Sequence, residues 1–285
     1  IGTIVLLNIP NIQQAMSVFV AEELSEVLNT KVVIGRINMG LLNRIIIDDV
    51  LLDDQSGQEM LKVTRLSAKF DIMPFFKGKI SISSVQLFGF NINLRKETPD
   101  SPPNFKFVLD AFASKDTVKK ENSLDLRINS ILIRRGRMSY HVLSEEETPG
   151  KFNAKHIQLQ NIIANISLKA LSKDSLNLGI KRLSLDEKAS GFSLKKMSLK
   201  LVANNKQTNI DNFTIELPET SLKLDTIHLE YDSLKAFDRF TEQVHFSFRT
   251  LPSQVTLKDI SPFVPILSHF KEPVTLDMEV KGTVD

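Results

Sequence analysis

One spacing constrains this chain more than any other: apolar-x-x-apolar-x-apolar. It runs through Ile34, Ile37 and Met39, then Ile47, Val50 and Leu52, then Val63, Leu66 and Ala68, then Ile82, Val85 and Leu87. It returns at Ile128, Ile131 and Ile133, at Leu159, Ile162 and Ala164, and at Ile180, Leu183 and Leu185. Leu194, Met197 and Leu199, then Ile210, Phe213 and Ile215, then Leu224, Ile227 and Leu229 close the series. A helix does not generate gaps of three and then two, whereas a strand does once a β-bulge takes up the odd residue and restores the face. The fullest instance is Lys79 to Glu97, where Phe90, Ile92 and Leu94 carry the alternation on after Val85 and Leu87. Such a segment is a strand with one apolar face.

Pattern starts at residues 180, 194, 210 and 224 match a strand plus a short turn, repeated. Residues that tolerate positive φ lie between the apolar runs at Ser56-Gly57, Lys77-Gly78, Arg135-Gly136, Pro149-Gly150, Ser190-Gly191 and Asn204-Asn205, and are read as the turns. The chain is therefore expected to be mainly β: a long, curled antiparallel meander growing in one direction, with bulges that bend it. The last strand is expected at Val274 to Val280, after a turn or short helix where Pro262 and Pro265 break the pattern. A sheet ending on an open edge, and a first residue that is Ile rather than Met, predict a piece of a longer protein. The apolar run Ile4 to Leu7 fits the last turn of a preceding spanning helix, or a chance apolar start.

Two helices interrupt the β text. Asn11 with Gln14 three residues on reads as a helix start, and Ile12, Met16, Phe19, Val20, Leu24, Val27 and Leu28 form one stripe, with Asn29 as the left-handed stop. This amphipathic helix over residues 11–28 is expected to pack on the sheet. A membrane-surface helix, the alternative, usually carries Lys and Arg on its polar face, and this one carries Glu22, Glu23 and Glu26. Phe105, Val108, Leu109 and Phe112 predict a short inserted helix near residues 104–115, as a cap on one end of the sheet or as a lid. The organisation that follows is an N-terminal helix over 1–29 and a β groove over 30–285.

The chain offers little for catalysis. With no cysteine there are no disulfides, thiolate metal sites or cysteine nucleophiles. The formal net charge of +2 provides no basic field for nucleic acid. His141, His156, His228, His245 and His269 are far apart in sequence, and His141, His228 and His245 fall at polar strand positions, so they read as solvated surface. Asp48-Asp49 and Asp53-Asp54 carry ligand chemistry for a cation, but the turn between Leu52 and Met60 calls for polar residues in any case. No nucleophile elbow or phosphate loop occurs, so no catalytic residue, metal or cofactor is assigned. Asn165-Ile-Ser167 and Asn212-Phe-Thr214 match the glycosylation sequon, a pattern common by chance.

What remains is the sheet. Two short helices are little cover for its apolar face, so the sheet either folds on itself as a closed sandwich or barrel, or curls into a trough lined by Ile, Leu, Val and Phe. A dry trough without orienting polar groups suits acyl chains.

The order of pieces resembles a known family. The N-terminal helix, KVVIGRINMG, IIIDDVLLDDQSGQEMLKVTRLSAKF and MPFFKGKISISSVQLFGFNINL follow one another as at the membrane-proximal start of the AsmA-like/TamB family. LDLRINSILIRRGRMSY and the pair DISPFVPIL and VTLDMEVKGTVD resemble later parts of the same family. The resemblance implies a β-taco groove and no enzyme. It further implies a module anchored in the inner membrane of a Gram-negative bacterium by a missing N-terminal segment, carrying phospholipid or other acyl lipids through the periplasm toward the outer membrane. The expected groove lining is Ile82, Val85, Leu87, Phe90, Ile92 and Leu94, then Leu126, Ile128, Ile131, Ile133, Met138 and Tyr140, then Leu159, Ile166 and Leu168. Two other readings stay open. One is a scaffold for outer-membrane β-barrel assembly with a barrel partner; the other is a closed β-sandwich interaction domain of a surface protein.

Overall fold

A computed structural model describes residues 10–40, 43–70, 80–112, 124–171 and 175–283, with side chains described throughout these spans except at 70, 80–82, 112, 124–128 and 171. The Lys77-Gly78 turn lies outside the described residues. Strands dominate, in one 14-stranded sheet that does not close. Contacts divide the chain into two units, residues 1–148 with 153–162, and residues 149–152 with 163–285. Among the described residues no helix is long and apolar enough to cross a membrane.

In the first unit, helix α1 (Pro10–Leu28) starts with Pro at its first helical position, where a missing N–H costs nothing. Asn11 thus lies inside the first turn rather than capping it. The far end is as expected: Asn29 adopts φ 48°, and Thr30 N donates to Ser25 O at 3.1 Å while Asn29 N donates to Glu26 O. This is the paired closure of a helix C-terminus by a left-handed residue. The packed face differs from the expected stripe. Met16, Val20, Ala21, Leu24 and Leu28 pack on the sheet with Gln13 and Ser17 buried beside them, and Ser17 Oγ satisfies itself on Gln13 O at 2.8 Å. Phe19, 63% exposed, and Val27 turn away with Val18.

Strands β1 (Val32–Gly40), β2 (Arg44–Asp53), β3 (Glu59–Phe70) and β4 (Ile80–Lys96) form the expected antiparallel meander. Strand β5 (Leu124–Val142) departs from it by pairing with β4 in parallel. After the excursion that follows Lys96, β5 starts at the end of the sheet where β4 started, with Leu124 opposite Ile80. Helix α2 (Lys106–Phe112) lies in that excursion, and Phe105, Phe107 and Val108 pack against the cluster of Leu28, Val32, Ile34, Ile37, Leu52 and Met60. The insertion therefore acts as a cap; Leu109, expected on its packed side, is exposed.

Strand β6 (His156–Leu171) begins in the first unit and continues into the second, where β7 (Ser175–Glu187), β8 (Ser193–Asn204), β9 (Gln207–Glu216), β10 (Ser221–Glu230) and β11 (His245–Thr250) follow. Pairings from β7 to β11 are antiparallel. Three-ten turns at Leu257–Ile260 and Pro265–His269 occupy the proline-broken stretch. The last strand is split: β12 (Ser253–Thr256) pairs with β13 (Pro273–Leu276), while β14 (Glu279–Gly282) pairs with β11. The break at Met278 is held by Thr250, whose N donates to Met278 O at 2.9 Å and whose Oγ1 accepts Met278 N at 2.7 Å.

Candidate functional site: an apolar face crossing a line of kinks

Cross-strand register turns the repeated spacing into rows. In the first unit Val32, Leu52, Leu61, Ile92 and Met138 are successive partners across β1 to β5, with Ile34, Val50, Val63 and Phe90 in the next row. Beyond the odd residues, Ile37, Ile47, Leu66, Leu87 and Ile133 form one row and Met39, Ile45, Ala68, Val85 and Ile131 another. Directly paired residues share a face of the sheet. Ile34 and Leu52 from one side of the odd residues and Ile37, Ile45 and Ile47 from the other belong to one packed cluster, so the apolar face continues across the irregularity.

The device that allows this is only partly the expected bulge. At Ser83 it is one: Lys69 pairs with Ser84 and Phe70 with Ile82, which leaves Ser83 extra and sets the backbone of Ile82 and Val85 opposite Phe70 and Ala68, two residues apart on β3. At four other points in this unit the odd residue is a left-handed one, at Asp49 (φ 56°), Gly89 (φ 64°), Arg135 (φ 56°) and Asn161 (φ 54°), while the β4–β5 pairing shifts register between Ile82 and Ser84. The β1–β2 and β2–β3 registers continue unchanged past Asp49. Asp49 falls opposite Gly35 and Thr64, Thr64 opposite Gly89, and Gly89 opposite Arg135, so the kinks line up across the strands. Thr64 Oγ1 donates to Gly89 O at 3.1 Å along this line. Arg135-Gly136, expected as a turn, is inside β5: Arg135 is its kink, and Gly136 gives the Phe90 ring room that a side chain would fill.

The second unit repeats the arrangement. Leu178, Leu201, Ile210, Ile227, Phe248 and Val280 are successive partners from β7 to β14. The odd residues here are bulges that shift register between Ile180 and Leu183, between Ser198 and Lys200, and between Leu224 and Ile227, with Asn212 left-handed at φ 52°. One end is closed by Tyr231, Ala236 and Val244, with Tyr231 donating to Asn204 O at 2.7 Å. Phe263 lies between Phe152, tilted against it, and Phe192, edge-on to it, at ring distances of 4.8 and 5.0 Å.

Of the expected lining, Val85, Leu87, Ile92, Leu94, Ile131, Ile133, Met138 and Tyr140 are half-buried, Phe90 is buried, and Leu159 is half-buried at the start of β6. Leu94 pairs with Tyr140 and Ile92 with Met138. Ile166 and Leu168 are half-buried in the second unit. The side chains of Ile82, Leu126 and Ile128 lie outside the described residues, although Ile82 and Leu126 are partners by register. The helix-packed cluster reaches Ile45, Ile47 and Leu61; Leu66, Val85, Leu87, Ile131 and Ile133 lie beyond it.

The intervening residues make the other face more polar, although Ile46, Phe88 and Leu132 also lie on it. Arg36, Asp48, Arg65, Phe88 and Arg134 are successive partners there, Arg65 bonds Asp48 at 2.6 Å, and the Arg135 guanidinium lies 5.1 Å from the Phe88 ring centre. Asp54, read in the sequence as turn chemistry, does more. Its buried carboxylate accepts from Ser56 N at 2.9 Å, Gln58 N at 3.1 Å, Asn104 Nδ2 at 3.2 Å and Arg95 at 2.6 Å. It thus ties the β2–β3 hairpin to the end of β4 and the entry to α2. Burial pushes the Asp54 carboxyl up, but the bonds from Ser56, Gln58 and Asn104 outweigh it and hold the group below its ordinary 3.8.

No protein-family model matches the chain, and no characterised protein matches it in sequence.

Proposed function

We propose that the chain is a lipid-transfer module whose apolar rows carry acyl chains, and that it is a membrane-proximal segment of an AsmA-like protein, anchored in the inner membrane and working in the periplasm. The observation that supports this reading is the apolar face that persists, row by row, past the line of kinks at Asp49, Gly89 and Arg135, with Leu66, Leu87 and Ile133 only half-buried beyond the helix-packed cluster. A protein that needed only a stable core would gain by covering those side chains. A carrier needs them reachable, because each buried acyl CH₂ is worth about 0.8 kcal/mol and lipid does not leave a membrane for water unassisted. A closed sandwich does not fit an open sheet whose path runs from β1 to β14.

Organic extraction of the purified chain followed by mass spectrometry tests the reading. Wild type is expected to yield phospholipid or fatty acyl chains, and Leu87→Asp or Ile133→Asp to lose most of them, since a charge placed among acyl chains is unpaired. Extracts free of acyl lipid, together with crosslinking to an outer-membrane β-barrel, would replace this reading by the assembly-scaffold one.

A further inference from the structure

The β5–β6 hairpin brings together two histidines and a carboxylate that sequence spacing does not connect. His141, the next-to-last residue of β5, and His156, the first residue of β6, are 15 residues apart, and their Nδ1 atoms lie 3.0 Å from each other. Glu147, in the loop between them, places a carboxylate oxygen 3.9 Å from His141 Nδ1. One ligand atom from each of the three lies within 4.8 Å of the others, with His156 buried, His141 half-buried and Glu147 exposed.

The hydrogen bonding orients the set. His156 Nε2 is 2.9 Å from the carbonyl of Glu145, which can only accept, so Nε2 carries the hydrogen and Nδ1 presents a lone pair. A backbone carbonyl on the far nitrogen is the partner that metal-bound histidines use to fix ring and tautomer. Two imidazole nitrogens on a tetrahedral zinc at about 2.0–2.1 Å stand roughly 3.3–3.4 Å apart, close to the spacing already present. Glu147 needs to close by only about 1 Å on a solvated side chain to reach the same point.

The loop is built to hold this shape. Glu145 N donates to Val142 O at 3.0 Å, Asn153 Nδ2 to Glu146 O at 3.1 Å, and His156 N to Asn153 O at 3.0 Å. Two neighbouring cations are already paired with carboxylates. Lys155 pairs with Glu145 at 2.6 Å, and Arg95, the register partner of His141, pairs with Asp54 at 2.6 Å. As metal ligands two imidazoles are neutral and a carboxylate is anionic, so this donor set would meet a cation with net negative charge.

We infer that His141, His156 and Glu147 form a binding site for a divalent first-row transition ion of the zinc class. The imidazole and carboxylate donors suit zinc and disfavour calcium or magnesium, which take oxygen ligands. On binding, the ring hydrogen of His141 moves from Nδ1 to Nε2, and both Nδ1 lone pairs and one carboxylate oxygen face the ion, leaving a position for water. The site would staple the end of β5 to the start of β6.

The test is calorimetric titration of the metal-stripped protein with zinc chloride, with cobalt(II) absorption as a report on tetrahedral geometry. Wild type is expected to take up a single ion per chain. His141→Gln and His156→Gln should weaken binding by about 100-fold or more and Glu147→Gln by about tenfold, at least as much as losing a supporting partner costs a metal site. His269→Gln should bind as wild type does. Circular dichroism checks folding, and should the buried His156 variant fail to fold, His141→Gln and Glu147→Gln decide. Absence of stoichiometric uptake by wild type, or equal affinity in His141→Gln and wild type, overturns the site.

Discussion

The ring of Phe90 on β4 lies where a β-carbon on Gly136 of β5 would have to stand, with Ile162 Cβ 3.0 Å from the same point. Phe90 occupies the first row beside the line of kinks and is buried there with its row neighbours Ile34 and Val63. The absence of a side chain at Gly136 is what lets the row close over the left-handed Arg135. Gly136→Ala should therefore lower unfolding free energy by about 1–3 kcal/mol, the usual range for overpacking a filled site. A urea midpoint shift at unchanged slope measures it, and Phe90→Leu in the same background should recover part of the loss.

The left-handed residues give a second prediction. Asn212 sits at φ 52° inside β9, a conformation that Asn tolerates and β-branched residues do not. Asn212→Val should destabilise by about 1–2 kcal/mol, whereas Asn212→Gly should stay within about 0.5 kcal/mol of wild type. Equal stability of the two variants in denaturant titrations would mean that the kink is not maintained in solution.

Asp54 makes the fold acid-sensitive. Its carboxyl is held below the ordinary value in the folded chain, while an unfolded Asp titrates near about 3.9. The unfolded state thus binds more protons in acid. The stabilisation is complete above that value and is lost as pH falls through the folded one. Asp54→Asn should cost about 2 kcal/mol at neutral pH, typical of hydrogen bonds to a charged group. Below about pH 4 the gap between variant and wild type should narrow, as thermal melts at several pH values would report.

Much of the fold was legible because strand faces obey a period of two, and Ile34, Ile37, Val63 and Leu66 announced both the strands and the odd residue between them. How the odd residue is absorbed was not legible. A bulge at Ser83 and a left-handed Asp49 leave the same apolar spacing, and only the partner strand's register separates them. Arg135-Gly136 read as a turn because glycine marks turns and close backbone approaches alike. The parallel β4–β5 pairing depends on where the excursion after Lys96 returns, which no local pattern records. The stripe on α1 misplaced Phe19 and Val27 because Gln13 and Ser17, the latter satisfied on the carbonyl of Gln13, took buried positions that hydropathy assigns to apolar residues. His141 and His156 came together through a hairpin, so no spacing rule could pair them.

The central claim is that the row face, and not the opposite one, meets acyl chains. A photoreactive amino acid placed in turn at Leu66, Leu87 and Ile133, and at their neighbours Arg65, Gln86 and Arg134 on the polar face, tests it directly in cells labelled with radioactive phospholipid. The account predicts lipid adducts at the first three positions and little or none at the other three. Adducts spread evenly over both faces, or found only at Arg65, Gln86 and Arg134, would contradict it.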